Sequence, residues 1–226
     1  MPLYYFVMAL LPFFKQVNSM EYLIQEPLVK TAKKKALILM HGVGSNEKDL
    51  FSLVSYLPKD YYIICPQGHF ALGGGRYAWY NVDFSSGKPV YSMQQEKESR
   101  ELIRQFVGEM KAKYQLDEVY LGGFSQGGIM SYTVGLSDPK LVKGIVILSS
   151  RLLEEVKPLL AKQAPALQVF VSHGTQDGTL GIHYAREAKL FLEGMQVNLS
   201  YHEYAMGHQI NQQVLADLNK WLSAQE

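Results

Sequence analysis

From Met20 onward, short apolar runs alternate with segments of helical period, and this alternation restricts the fold more than any other feature of the chain. "KALILM" (35–40) is bounded by charge on one side and by "HGVGSN" on the other, which predicts a strand covered on both faces. "NEKDLFSLVSYL" then carries Leu50, Leu53, Val54 and Leu57 at the spacing of a helix face, with Ser45 or Asn46 as the cap. "YYIIC" (61–65) is a second buried strand. The strongest helix is "MQQEKESRELIRQFVGEMKAKY", where Leu102, Ile103, Phe106, Val107 and Met110 form one stripe against a charged face. Strand-like "EVYLGG", "KGIVILSS", "LQVFVSHG" and "VNLSYHEY" are each followed by a helix-like stretch, the four being "SQGGIMSYTVGL", "RLLEEVKPLLAK", "GIHYAREAKLFLEGM" and "INQQVLADLNKWLSA". Such alternation predicts right-handed β-α-β units, hence an α/β fold with a mostly parallel central sheet and helices on both faces. "MEYLIQEPLV" reads as an opening strand. Residues 20–226 show no repeat, low-complexity tract or linker and are expected to form one domain.

Charge and cysteine usage exclude several classes. A formal net charge of +1 gives no electrostatic footing for nucleic acid or for an anionic membrane surface. The lone cysteine, Cys65, precludes an intramolecular disulfide and fits a reducing compartment, so a cytoplasmic location is expected. No metal or other cofactor is expected: there is no H-E-x-x-H and the six histidines are dispersed. "GGG" at 73–75 lacks the Lys-Ser/Thr of a phosphate loop. Residues 1–19 stand apart as an apolar N-terminal extension. The run from Tyr4 to Phe14 is too short to cross a bilayer as a helix, so stable membrane insertion is not expected. Three readings of it stay open. It is a packing or oligomer contact, which would go with a homodimer; an export signal cleaved after Val17-Asn18-Ser19, with no Lys or Arg ahead of the run; or a dispensable leader before a start at Met20.

In a parallel α/β sheet, functional residues collect at the carboxyl ends of strands. Ser125 lies there, in "VYLGGFSQGGIMSY", between a strand and a helix. Gly123 and Gly127 flank it at −2 and +2, the G-x-S-x-G spacing that lets a tight turn lift one hydroxyl clear of the sheet edge. The helix N-terminus beneath it favours developing negative charge. The plainer alternative is an N-cap serine packed among glycines. A serine nucleophile needs a base and an orienting acid, in the chain order Ser, acid, His. Of the four histidines after Ser125, His208 in "EYAMGHQI" falls between the final strand and helix, on the correct sheet edge. His202 lies inside a strand, His183 opens a helix, and His173 precedes the best acid, Asp177 in "VSHGTQDGTL". The oxyanion donors are expected to be the backbone N–H groups of Gln126 and of Val43, the latter in the glycine-bearing loop "MHGVGSN". His41 in that loop is expected to fix it by hydrogen bonds.

The pieces "MHGVGSNEKDL", "CPQG", "YAWYNVD", "GGFSQGG", "VSHGTQD" and "MGHQI" resemble, in family order over roughly residues 35–215, α/β-hydrolases of the phospholipase/carboxylesterase type, which include the acyl-protein thioesterases. The resemblance implies the α/β-hydrolase fold without a large lid domain and a Ser125–Asp177–His208 triad with Val43 and Gln126 as oxyanion donors. It also implies that Trp79 lies near the acyl or alcohol pocket. The family usually has proline after the acid, where Gly178-Thr179 stands here. The expected activity is hydrolysis of a small-molecule carboxylic ester or thioester through an acyl-serine. Without an insertion between "KGIVILSS" and "LQVFV" the site is open, which favours small to medium acyl groups. Phe70, Leu72, Tyr77, Trp79 and Tyr80, in the long loop after "CPQG", are the candidates to line it, against ordinary loop packing. A peptidase or amidase with the same triad, or a lysophospholipase or acyl-protein thioesterase, is the alternative. A binding protein on this fold would lack a triad member, and a dienelactone-type hydrolase would carry Cys at the nucleophile position.

Overall fold

Along each central strand, side chains divide by parity between two cores, and this decides which helices cover which face. The computed structural model describes residues 20–83, 85 and 89–225. The readings of the N-terminal extension fall on residues 1–19, outside the described residues.

Strand β1 (Tyr22–Gln25) opens the chain, followed by β2 (Lys35–Met40), helix α1 (Glu47–Phe51) and β3 (Tyr61–Pro66). The long loop expected next contains two small hairpins, β4 (Phe70–Gly73) with β5 (Arg76–Ala78) and β6 (Val82–Asp83) with β7 (Val90–Tyr91). Then come α2 (Met93–Tyr114), β8 (Glu118–Phe124), α3 (Gln126–Ser137), β9 (Gly144–Leu148), β10 (Gln168–Gly174), α4 (Ile182–Gly194), β11 (Asn198–Tyr204) and α5 (Gln212–Ser223). The main sheet has seven strands in the order β1-β3-β2-β8-β9-β10-β11. All neighbours are parallel except β1, which runs antiparallel to β3 at the edge. The expected α/β-hydrolase architecture is therefore present.

In β2, Ala36, Ile38 and Met40 join the core under α2, α3 and α4, whereas Leu37 and Leu39 join the core under α1 and α5. In β9, Ile145 and Ile147 face the first core, Val146 and Leu148 the second. Helix α3 has almost no amphipathic character because it is buried along nearly its whole length, sandwiched between the sheet and α2.

Two helix expectations shorten. "RLLEEVKPLLAK" supplies only a 3-10 segment, Glu154–Leu159, with Pro158 inside it. A proline there removes an N–H donor and crowds the preceding turn, so an α-helix cannot continue through it. The apolar stripe of 50–57 splits into α1, capped by the Asn46 side chain on the Lys48 N–H, and a 3-10 turn at Val54–Tyr56 that tightens the entry to β3. Between β9 and β10 the chain carries no larger element than that 3-10 segment, so no lid stands over the carboxyl edge of the sheet there.

Candidate active site

Ser125 sits at the carboxyl end of β8 with φ 52° and ψ −114°. A non-glycine residue rarely adopts a positive φ of this kind, and holding it there costs about 1–3 kcal/mol. Its backbone is clamped from three sides. The Ser125 N–H donates to Leu148 O at 3.0 Å, and Ser125 O accepts from Ser150 Oγ at 2.7 Å and from Ile129 N–H at 3.1 Å. The hydroxyl makes no cap hydrogen bond to α3, so Ser125 is not acting as an N-cap serine. The turn is possible because β8, α3 and β2 approach almost without side chains between them. A Cβ at Gly127 would overlap Met40 O and crowd His41 O.

The β2–α1 loop lies against the same turn. A Cβ at Gly42 would stand 3.4 Å from Ser125 Cβ, so the loop backbone is already beside the nucleophile candidate. His41, beneath it, donates from Nδ1–H to Gly42 O at 2.8 Å and accepts from Gly68 N–H at Nε2 at 2.9 Å, as expected of a residue that fixes the loop. Burial depresses its pKa, which keeps the ring neutral as both bonds require. The Gly44 N–H donates to Tyr77 O at 2.9 Å and the Ser45 N–H to Gly42 O at 3.2 Å. The Gln126 N–H opens α3 and has no intrahelical acceptor.

Asp177 and His208 meet across two neighbouring loops. His208 Nδ1–H donates to Asp177 Oδ2 at 2.7 Å, and Asp177 Oδ1 accepts from the Thr179 and Leu180 N–H groups at 2.9 and 2.8 Å. Burial alone raises the Asp177 pKa, but these three hydrogen bonds outweigh it and hold the carboxyl below its usual value. The loops are zipped by Thr175 N–H to Tyr204 O at 2.8 Å and Gln176 N–H to Met206 O at 3.1 Å. Gly174 permits that approach, since a Cβ there would run into Met206 O. The His208 ring rests on Phe124, the residue before Ser125, with ring centroids 4.7 Å apart.

A cleft of about 280 Å³ opens at this edge, lined among others by Val43, Tyr80, Ser125, Gln126, Thr179 and Leu180. Of the expected pocket residues it takes Tyr80 but not Trp79, Phe70, Leu72 or Tyr77. Trp79, expected near the pocket, is fully buried behind the cleft-lining Tyr80 and Gln126 and does not itself line the cleft; its Nε1–H donates to His41 O at 2.9 Å, because an enclosed indole N–H needs an acceptor.

Two contributions escaped the sequence reading. The Gln126 side chain is a clamp: Oε1 accepts from Trp79 N–H at 2.9 Å and Nε2 donates to Tyr80 O at 2.7 Å. Buried His173 donates from Nε2 to Leu180 O at 2.7 Å, bracing the acid loop from below. Its position at the end of β10, four residues before Asp177, was the available signal.

The phospholipase/carboxylesterase family profile matches residues 23–226. The chain is 26% identical over 214 residues to acyl-protein thioesterase 1 of Kluyveromyces lactis, which covers 84% of this chain and 91% of that protein. Among solved structures, the carboxylesterase of Bacillus cereus matches with a TM-score of 0.79 at 21% identity, covering 93% of this chain and 97% of that one. Acyl-protein thioesterase 2 of Zea mays matches with a TM-score of 0.73 at 19% identity, covering 91% and 98%. At these identities the structural matches show a shared fold.

Proposed function

This chain belongs to the phospholipase/carboxylesterase family and is a serine hydrolase of carboxylic esters, and from that premise we propose that Ser125, Asp177 and His208 are its triad, with the Val43 and Gln126 N–H groups as oxyanion donors. The observation that carries the assignment is the strained Ser125 backbone at the wall of a cleft, one residue from the ring on which His208 rests.

The chemistry is acyl transfer in two halves. Ser125 Oγ attacks the ester carbonyl while His208 Nε2 takes its proton. The Val43 and Gln126 N–H groups bind the tetrahedral oxyanion, where each donor contributes about 10²–10³ in turnover. Collapse breaks the ester C–O bond, His208 protonates the departing alcohol, and an acyl-serine remains. Water then gives a proton to His208 and attacks the acyl carbon. The second intermediate releases the carboxylic acid, and Ser125 recovers its proton. Asp177, anchored through Oδ1, keeps His208 in the tautomer that leaves Nε2 free and stabilises the imidazolium.

A cleft of about 280 Å³ lies at the small end of ligand pockets and supports small to medium acyl groups in esters or thioesters. We place the enzyme in the cytoplasm as one domain from residue 20, which its single free cysteine supports. Among the described residues no helix is long and apolar enough to cross a membrane. The test is fluorophosphonate labelling beside a p-nitrophenyl ester series of increasing chain length, with matched anilides. Wild type should be labelled and should cleave the esters far faster than the anilides. Ser125→Ala should lose both properties, and ester hydrolysis surviving that change would overturn the assignment.

A further inference from the structure

The cleft that Ser125 borders has one charged side chain in its described wall, that of Arg151. It lies just past the carboxyl end of β9, directly after Ser150, whose hydroxyl holds Ser125 O at 2.7 Å. Its guanidinium carbon stands 5.7 Å from the ring centroid of Tyr91 and 5.3 Å from that of Tyr184, and both rings also line the cleft. Arg100, Arg104 and Arg186 pair with Glu96, Asp138 and Glu203, whereas Arg151 forms no ion pair among the described residues. Its Nε is buried without a hydrogen-bond partner. Glu155 is already engaged, accepting from the Tyr91 hydroxyl at 2.8 Å.

An unpaired guanidinium is an expensive way to fill a cleft wall. Arg151 is half-buried with its Nε enclosed, and even partial withdrawal of a charge from water without a counter-ion is unfavourable, a penalty an apolar side chain of similar volume would not carry. The two tyrosine rings recover part of the cost through cation–π attraction. A cation–π contact is not a hydrogen bond, and the guanidinium N–H donors match the oxygen pairs of carboxylates and phosphates. The cleft that Ser125 borders thus presents a guanidinium without a counter-ion among the described residues.

We propose that Arg151 selects esters carrying a second, anionic group, a carboxylate or a phosphate, which it binds while the scissile carbonyl lies at Ser125. The inference rests on the reading of Ser125 as nucleophile and adds the substrate class to it. On the leaving-group side, the probes are para-acetoxybenzoate and para-acetoxyphenyl phosphate against methyl para-acetoxybenzoate. On the acyl side, p-nitrophenyl monoadipate is set against p-nitrophenyl hexanoate. For each pair the ratio of kcat/KM, anionic over neutral, is measured in wild type, Arg151→Gln and Arg151→Lys. Comparing ratios between proteins cancels the intrinsic reactivity of the esters. Loss of a charge-assisted hydrogen bond should lower the ratio by about tenfold or more in Arg151→Gln on at least one side, with Arg151→Lys in between. The responding pair distinguishes carboxylate from phosphate and acyl side from alcohol side. Ratios equal within about twofold in every pair, from proteins still labelled at Ser125, would reduce Arg151 to a packing residue. Absence of labelling and of all ester turnover in wild type would instead remove the nucleophile reading, and the inference with it. Should Arg151→Gln not fold, inhibition of wild-type neutral-ester turnover by adipate against hexanediol decides the matter: at least tenfold stronger competition by adipate supports the proposal, equal inhibition overturns it.

Discussion

Gln126→Ala separates two jobs carried by one residue, because the backbone N–H assigned to the oxyanion survives while the side-chain clamp is lost. The amide of Gln126 satisfies two buried main-chain groups, the Trp79 N–H at 2.9 Å and Tyr80 O at 2.7 Å. Each group left without a partner costs about 1–3 kcal/mol, so the pair should cost about 2–6 kcal/mol, the low end applying if water enters the void. For a chain of this length that corresponds to a fall in Tm of about 4–24 °C. Activity should fall as well. Tyr77, two residues from Trp79, accepts from Gly44 N–H at 2.9 Å and donates to Ser45 O at 2.8 Å, and these bonds fix the loop that bears Val43. Loosening it should lower kcat by up to the value of one oxyanion donor, about 10²–10³. Gln126→Glu controls for the void: it keeps the volume and the acceptor for Trp79 but points an oxygen at Tyr80 O, and should destabilise at least as much. Urea unfolding followed by tryptophan fluorescence, beside steady-state ester kinetics, measures both effects. A loss below about 0.5 kcal/mol in both variants would show that the clamp bears no load and that the reasoning fails.

Two further outcomes are expected. In Asp177→Asn the amide must either turn its NH₂ toward the Thr179 and Leu180 N–H groups or present it to His208, so the imidazole loses its tautomer control; kcat should drop by about 10⁴ with little change in fold, read by steady-state kinetics and circular dichroism. Acid should destabilise the protein through His41, whose folded-state pKa burial holds below the unfolded value: its contribution is complete above about pH 6.5 and is lost as pH falls from there toward the folded pKa, at up to about 1.4 kcal/mol per pH unit. Buried His173 shifts in the same direction and adds to the slope. Urea midpoints taken between about pH 7.5 and 5.5 should decline in wild type and less steeply in His41→Asn; identical slopes would refute the assignment.

The strands and the long helix were legible because their apolar residues repeat with the period of the element. Helix α2 spans the residues its stripe predicts, and β2 coincides with "KALILM". Where a single residue overrides the pattern, the period misleads, as at Pro158, which cuts an apparent helix to a 3-10 segment. The hairpins β4–β5 and β6–β7 were hidden because two- to four-residue strands are too short to show a period. Within the site, the positions proposed for the triad were readable from chain order and strand edge: Ser125, Asp177 and His208 all lie where a parallel sheet gathers its loops, and His208 bonds Asp177. For Trp79 the resemblance implied proximity to the pocket but not which side chains form its wall, and the cleft is lined by Tyr80 with Trp79 buried behind it. The Gln126 side-chain clamp and Arg151 were missed for a different reason. Their neighbours are distant in sequence, and only the fold brings Trp79, Tyr80, Tyr91 and Tyr184 to them.

The loop of Asp177 divides its work between main chain and side chains. Gly178-Thr179 follows Asp177, whose anchors are the main-chain N–H groups of Thr179 and Leu180. The Leu180 carbonyl is held in turn by His173. The side chains of Thr179 and Leu180, free of these duties, line the cleft. Under the proposed triad, orientation of His208 is therefore carried by backbone, and the cleft wall by side chains, at the same two residues. Substitution at 179 or 180 can reshape the cleft while Asp177 still holds His208, provided the replacement is not proline, whose missing N–H would remove an anchor.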